Sequence, residues 1–465
     1  MFGKTDKIHL IGIGGYGMSG LAKLLLEMGY SVSGSDLKTS DITKHLMEMG
    51  AEISIGHREE NAKDRDVIVY STAIPEENDE LRIGRERGKA LHRSELLAMF
   101  LNSQKGIAIT GAHGKTTTST MLALMMEEGG LDPTALIGGE VQDFSGTARL
   151  GKGEYVVAEA DESDQSFARY QPYCSVITNI EPDHLEHYNG SFEDLLAGYA
   201  TFVGNVQEQG ILVVPARDQW INQVLPQAQS RIITFGVEEG QYRAENIAQK
   251  ALESEFDIYQ DSNLLGRVKL AVPGEYNILN AVAASAVALE IGVDFASVQR
   301  ALAGFKGAKR RFQILAREPF MVVDDYAHHP TEVQATLTAA RSTTPSRLVA
   351  IFQPHRYTRT QFFLEEFASS FGKADIVLID NIYAASEQPL PGINAQVLAG
   401  KIKEVHDGQV LQLNGLDNIV HWVQNNWREG DFIVAMGAGD ISRVAHRLGE
   451  ICKQHVAGNF LPKVE

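Results

Sequence analysis

The chain has 465 residues, 42 Lys and Arg against 60 Asp and Glu, and a net charge of −18, with 44% hydrophobic and 22% charged residues. That composition is ordinary for a soluble globular protein, and its acidity argues against a nucleic-acid partner. At about 150 residues per domain the length predicts about three domains.

The N-terminus, MFGKTDKIHL, has no apolar signal core, and no apolar run approaches about 18 residues. Cys174 and Cys452 stand far apart in no metal-ligand spacing, which predicts a reducing compartment and no disulfide framework. The expectation is a cytoplasmic protein with no membrane partner.

The first strand, Lys7 to Ile11, runs into GIGGYGMSG. Gly12, Gly14 and Gly17 form a GxGxxG pattern with Gly15 inside it, and Asp36 ends the following strand. Such glycines give a tight turn and a close backbone approach to a pyrophosphate, and the acid suits a ribose or base. An NAD dehydrogenase is the obvious rival reading. A second nucleotide cradle follows at once, however, and residues 37–105 are too few for a complete six-stranded dinucleotide fold. A diphosphate-linked substrate fits better. Ser71, Thr72, Ala73 and Ile74 follow the strand Val67 to Tyr70, at a strand's carboxyl end where ligands bind in such sheets.

The second restart is GIAITGAHGKTT, residues 106–117. A strand enters a glycine loop, and Lys115, Thr116 and Thr117 open a helix. Loop amides and the helix N-terminus point at phosphates, the lysine adds a cation, and a threonine hydroxyl suits magnesium. The loop is GxxGKT, shorter than GxxxxGK[ST]. It predicts ATP binding. Behind it, the strand Tyr155 to Ala160 carries Glu159, with Asp161 next, and CSVITNIEPDHLEHY places Asn179, Asp183 and His184 past another strand. A carboxylate and an imidazole beside Thr116 complete a magnesium shell. Tyr276, Asn277 and Asn280 precede an Ala-rich run that reads as a buried helix; the asparagines cap it or reach a nucleotide.

The third restart is the strand Phe320 to Asp325, followed by YAHHPTE and a helix starting at Pro330. Asp324, Asp325, Tyr326, His328 and His329 crowd this strand end. LVAIFQPHRYTRT puts His355, Arg356 and Arg359 past the next strand, where arginines fork onto a carboxylate or phosphate. DFIVAMGAGD supplies a later glycine turn, Gly437 and Gly439, of no assigned role. The expected fold class is α/β in three domains: an N-terminal Rossmann-like half-fold over 1–102, a central P-loop mononucleotide-binding domain over 103–313, and a C-terminal Rossmann-like domain over 314–465.

HLIGIGGYGMSGLA, GAHGKTTT, EADESDQSF, NIEPDHLEHY, GAKRRFQ, DDYAHHPTE and FQPHRYTRT together resemble the Mur ligase family, from about Lys7 to the C-terminal helices. The last two motifs resemble the branch that joins L-alanine to UDP-N-acetylmuramate. The relative that attaches a recycled tripeptide to the same sugar lacks a segment like HRYTRT. The resemblance implies ATP-dependent activation of the lactyl carboxylate as an acyl phosphate, attack by the L-alanine amine, and release of ADP and phosphate, in peptidoglycan precursor synthesis for the cell wall.

It further implies that Gly111, Ala112, His113, Gly114, Lys115, Thr116 and Thr117 hold ATP, with Asn280, Arg311 and Asp325 also on the nucleotide. Thr116 or Thr117, Glu159 and His184 ligate Mg2+. Tyr326, His328, His355 and Arg359 line the L-alanine pocket. Gly12, Gly14, Gly15, Gly17, Asp36 and Ser71 to Ile74 hold UDP. Lys115, Glu159, His184 and Arg359 are the expected catalytic set, in a monomer or weak homodimer.

Two departures stand out. Several Mur ligases carry a carbamylated lysine after the DH motif that binds a second magnesium, but no lysine occurs between Lys152 and Lys250. Ala112 also stands where the family usually has threonine. The rivals from other classes are an NAD-dependent oxidoreductase and a P-loop switch that hydrolyses ATP without a small substrate. The third-domain cluster argues against both.

Overall fold

The computed structural model describes residues 2–458 except 4, 142, 143, 145, 251 and 386. The first sheet is parallel and has five strands, β1 (Lys7–Ile11), β2 (Ser31–Asp36), β3 (Glu52–Ile55), β4 (Val67–Tyr70) and β5 (Ala90–His92), in the order β3-β2-β1-β4-β5. Chain reversal about β1 opens a crevice at the carboxyl ends of β1 and β4, the place where such sheets take ligands. The predicted half-fold thus has five strands, one short of a six-stranded dinucleotide domain.

The second sheet holds β6 (Lys105–Thr110), β7 (Thr134–Val141), β8 (Gly146–Arg149), β9 (Tyr155–Glu159), β10 (Cys174–Ile177), β11 (Ile211–Pro215), β12 (Arg231–Val237), β13 (Tyr242–Lys250), β14 (Glu253–Gln260) and β15 (Asn263–Leu270). Its order is β15-β14-β13-β12-β11-β10-β6-β9-β7-β8. β6 lies between β9 and β10, parallel to both, so three carboxyl ends meet beside one loop. These strands are short runs of Val, Ile and Ala buried on both faces, as parallel strands covered by helices require.

The third sheet is β16 (Gln313–Ala316), β17 (Met321–Asp325), β18 (Arg347–Phe352), β19 (Ile376–Ile379), β20 (Gln409–Gln412) and β21 (Asp431–Met436), in the order β16-β17-β21-β18-β19-β20. Only β16, against β17, runs antiparallel. Val323, Leu337, Phe352 and Phe367 form the core on one face, and Val322, Ile351, Ile433 and Leu448 form the core on the other.

The chain is therefore three α/β domains with one sheet each. They gather into two compact units, residues 1–247, 256–269 and 278–305, and residues 248–255, 270–277 and 306–465. Inside the first unit, the helix Tyr16–Glu27 ties the first sheet to β7 and β8. A Cβ at Gly20 would sit 3.0 Å from Thr147 Oγ1, and Lys23 donates to the carbonyl of Phe144 at 2.9 Å.

The helix expected over the Ala-rich run starts earlier than the sequence suggests, at Glu275. Tyr276, Asn277 and Asn280 are therefore inside it, and neither asparagine is an N-cap. Glu275, a strong helix former, extends the helix past them. No helix among the described residues is long and apolar enough to cross a membrane.

Candidate active site

β6 ends at Thr110, and the helix Lys115–Glu128 begins four residues after Gly111. The loop between them needs its two glycines. Gly111 has φ +130° and Gly114 φ +85°, both in the left-handed range that penalises a Cβ. Space is short as well: a Cβ at Gly111 would lie 2.1 Å from Thr178 Oγ1, and one at Gly114 2.4 Å from Asn280 Oδ1. The end of β10 braces the loop. Asn179 accepts from the His113 amide and donates to the His113 carbonyl, both at 3.0 Å, and Thr178 Oγ1 donates to the same carbonyl at 2.5 Å. The sequence flagged Asn179 without this role.

Asn280 Oδ1 accepts from Thr118 at 3.2 Å, behind Gly114. It thus reaches the loop, through backbone proximity and a threonine. Thr116 and Thr117 are 6% exposed, in the first turn of the helix.

The acids converge on this loop from β9. Glu159 Oε1 accepts from the Gly138 amide at 2.6 Å. A Cβ at Gly138 would fall 2.6 Å from Glu159 Oε2, and one at Gly139 3.0 Å from Thr116 Cγ2. Both glycines let these side chains pack close to the backbone of β7. Glu162, which sequence reasoning passed over, is buried and accepts from Lys115 Nζ at 2.9 Å through both oxygens. Its signal was its place in EADESD, a run of acids whose separate roles no spacing rule distinguishes.

Burial disfavours the Lys115 ammonium, but Glu162, Asp161 and Glu159 together hold its pKa above the usual lysine value. Burial lifts the Glu162 carboxyl, with Lys115 opposing that rise. The two 2.9 Å contacts join both Glu162 oxygens to the Lys115 ammonium. Burial opposes the charge on Asp161 too, yet Lys115, Arg93 and His184 hold its carboxyl below the ordinary range. His184 sits at φ +57° just past β10, its amide on Asp183 Oδ1 at 2.8 Å. Lys115, Glu159, Asp161 and His184 thus share one electrostatic neighbourhood.

In the first sheet, the Gly12 and Ile13 amides bond to the Ser35 carbonyl, and Gly14 N donates to Asp36 Oδ2 at 2.9 Å. Gly14 and Gly17 are places of close approach: a Cβ would lie 2.8 Å from Asp36 Oδ2 in the first case and 2.5 Å from Arg93 Nη1 in the second. Gly15 is the N-cap of the helix that follows. Ser71 to Ile74 close a turn after β4, with Ile74 N on Ser71 O at 3.0 Å, and Thr72 and Ala73 are exposed. Arg93 is a further residue missed. It lies over Gly17 with Nη2 3.9 Å from Asp164 of the DESD segment.

The second unit holds the remaining candidates. Asp325 accepts from the amides of Phe312 and Ala327, each at 2.7 Å, and burial pushes its carboxyl up to about 6 against the pull of Arg311. Arg310 and Arg311 lie 4.9 and 5.1 Å from the Tyr326 ring centroid. Arg310 also donates to the carbonyls of Gly437 and Gly439, which gives the GAGD turn a structural place.

Rings run on from Tyr326 to His328 at 5.1 Å, to His355 at 5.9 Å, and to Tyr383 at 5.7 Å. Tyr383 carried no motif; it arrives through a bridge pairing to His355. The His328 and His329 amides bond to Glu332, closing the N-terminus of the helix Pro330–Ser342. Arg359 lies on the helix Tyr357–Phe362 and is 8% exposed. The stretch FEDLLAGYATF, without lysine, lies along the helix Phe192–Gly204.

Comparison with known proteins covers nearly the whole chain. Residues 7–105 match the Mur ligase family catalytic domain, 109–288 the Mur ligase middle domain, and 310–439 the Mur ligase glutamate ligase domain. The chain is 43% identical over 457 residues to a UDP-N-acetylmuramate–L-alanine ligase of Symbiobacterium thermophilum, covering 96% of this chain and 95% of the relative. It is 45% identical over 442 residues to the enzyme of that name from Pelotomaculum thermopropionicum, covering 94% and 96%. Among solved structures, the UDP-N-acetylmuramate–alanine ligase of Thermotoga maritima has a TM-score of 0.83 at 29% identity, covering 97% of this chain and all of that one. A murein peptide ligase of Psychrobacter arcticus has a TM-score of 0.71 at 26% identity, covering 98% and 100%.

Proposed function

The chain belongs to the Mur ligase family, and from that premise we propose that it joins L-alanine to the lactyl carboxylate of UDP-N-acetylmuramate at the expense of ATP, in peptidoglycan synthesis. The observation that carries the reading is Lys115 at the end of the loop Gly111–Gly114, paired with Glu162 at 2.9 Å and facing Asp161 and Glu159. Identity of 43% and 45% along nearly the full length of two L-alanine ligases supports the choice of amine.

In this reading residues 1–102 hold UDP through Gly12, Gly14, Gly15, Gly17, Asp36 and Ser71 to Ile74. Residues 103–313 hold ATP on the loop from Gly111 to Thr117 with Asn280. Residues 314–465 supply Asp325 and, just before them, Arg311 reaches the nucleotide. Tyr326, His328, His355 and Arg359 take the amino acid. The protein works in the cytoplasm, as a monomer or weak homodimer.

Lys115 neutralises the phosphoryl group in transit, and the loop amides orient it. Two anions, a carboxylate and a polyphosphate, meet as the acyl phosphate forms, so fixed positive charge lowers that barrier. Glu159, His184 and a hydroxyl of Thr116 or Thr117 would hold a magnesium ion. The carboxylate and hydroxyl oxygens of that set suit a small hard cation. When bound, that ion screens the same charges. Arg359 pairs with the L-alanine carboxylate, His328 stands near the amine, and His355 and Tyr326 limit the volume.

Incubation with UDP-N-acetylmuramate, ATP and labelled L-alanine tests the reading. Expected is labelled sugar nucleotide with one ADP per product. Efficient use of a tripeptide instead would identify a recycling ligase, and ATP hydrolysis without a labelled product would identify a P-loop switch.

A further inference from the structure

Glu162 is buried against the phosphate-loop lysine and has no part in the chemistry above. We infer that Glu162 is a positioning residue for Lys115, and that ATP binds by exchanging a phosphate oxygen for this carboxylate on the lysine ammonium. The inference rests on the ATP site proposed above.

An ammonium has three protons and no acceptor. Lys115 Nζ lies 2.5 Å from the Gly111 carbonyl and 2.9 Å from each Glu162 oxygen, with the Ala112 carbonyl at 3.4 Å. Four acceptor atoms thus compete for the three protons, and the three nearest suffice to use them. A phosphate oxygen reaching Nζ must displace or share one of them. The Gly111 carbonyl is fixed, because the loop is braced by Thr178 and Asn179. The carboxylate is the group able to yield.

The backbone of Glu162 is anchored by Tyr188 Oη and Gln165 N, which both donate to its carbonyl. Its side chain therefore works from a fixed root. Glu159 and Asp161 stand in the same neighbourhood, so the lysine faces three acids before it faces a polyanion. The carboxylate keeps a long flexible ammonium from straying, and at the same time it competes with the nucleotide.

A charge-assisted hydrogen bond is roughly twice as strong as a neutral one, so Glu162→Gln weakens the competitor and keeps its shape. Calorimetry with the β,γ-imido analogue of ATP on the full-length protein is the test. In Glu162→Gln the Kd falls about fivefold to tenfold, on the difference between charged and neutral bonds. In ligation assays kcat falls while the KM for ATP does not rise, because the lysine is freer but worse aimed.

In a Lys115→Met background, Glu162→Gln leaves the analogue's Kd unchanged. A purely structural role predicts the opposite sign, a looser loop and a higher Kd. An unchanged or raised Kd in Glu162→Gln overturns the inference, as does the same fall in the Lys115→Met background. Should Glu162→Gln fail to fold by circular dichroism, Glu162→Asp keeps the charge on a shorter stem. It must then show a smaller fall in Kd, and no fall overturns the inference. An unaltered protein that does not bind the analogue overturns the ATP site itself, a result distinct from failure of the exchange.

Discussion

The first unit contains two glycine loops, each between a strand and a helix, and they differ in charge. After β1, Gly12 turns at φ +71°, its amide and that of Ile13 are taken by the Ser35 carbonyl, and Gly14 bonds to the Asp36 carboxylate. After β6, Gly111 and Gly114 turn at φ +130° and +85°, and Lys115 enters an ion pair with Glu162 beside Asp161 and Glu159. One loop offers backbone, a single acid and, over Gly17, the Arg93 guanidinium. The other offers backbone, a half-buried cation and a set of acids. In the proposed reading the same turn geometry serves two tasks: holding a group that does not react, and managing charge on one that does.

The largest effect should separate the loops outright. Lys115→Ala removes the cation from the second loop only. Loss of one group stabilising developing charge costs about 10²–10³ in turnover, and this lysine is the central cation of its site, so ligation should fall at least that far. UDP-N-acetylmuramate affinity, measured by calorimetry, should stay within about twofold, since the proposed function puts the sugar nucleotide on the other loop and distant sites add independently. Parallel losses in both would break the division of labour.

Next come Glu159→Ala and His184→Ala. Charge screening of this kind is worth several kcal/mol, so turnover should drop strongly, and the magnesium concentration for half-maximal rate should rise. Magnesium titrations that overlay those of the unaltered protein would remove these residues from the metal. For Arg359→Ala, breaking a buried charge-assisted pair costs roughly 2–5 kcal/mol. The KM for L-alanine should rise tens- to thousands-fold, with the KM for ATP spared. In the unaltered protein glycine should be rejected only weakly, since one methyl is worth about 1–3 kcal/mol. An unchanged L-alanine KM would place the carboxylate elsewhere.

The two loops were legible for a local reason. Strand, glycines and helix follow one another within about a dozen residues, so β1, β4, β6 and the helix start at Pro330 could be read from adjacent positions. The partners that shape those loops come from far along the chain and obey no spacing. Asn179 wires His113 from 66 residues away, and Glu80 meets Ser35 across 45. Tyr383 reaches His355 through a bridge between separate segments. Arg310 was hidden beside Arg311 in GAKRRF; only the fold shows that one clamps the GAGD turn while both flank Tyr326. The start of the helix Glu275–Glu290 was misjudged because polar residues inside a first turn look like a loop.

The smallest effect concerns what supports the first loop. Glu80 is fully buried, yet its carboxylate accepts from Ser35 Oγ at 2.5 Å, Asn61 at 2.6 Å and the Arg58 amide at 3.0 Å, with His9 at 3.4 Å. Ser35 carries the carbonyl that anchors Gly12 and Ile13 and precedes Asp36, so Glu80 fixes the strand end on which the loop rests. Burial alone would raise its pKa; His9, Ser35 and Asn61 outweigh that and bring it from 4.5 down to about 2.

A depressed carboxyl stabilises the fold above its unfolded pKa and loses that contribution as pH falls through the folded one. The window is therefore about pH 4.5 down to about 2, and the shift corresponds to about 3 kcal/mol at most. Glu80→Gln should lower the melting temperature at pH 7 and flatten its fall with acid across that window. It should weaken UDP-N-acetylmuramate binding a few-fold and leave binding of the ATP analogue unchanged. Equal weakening of both ligands would mean that the two loops share a support, and the contrast between them would then be one of charge alone.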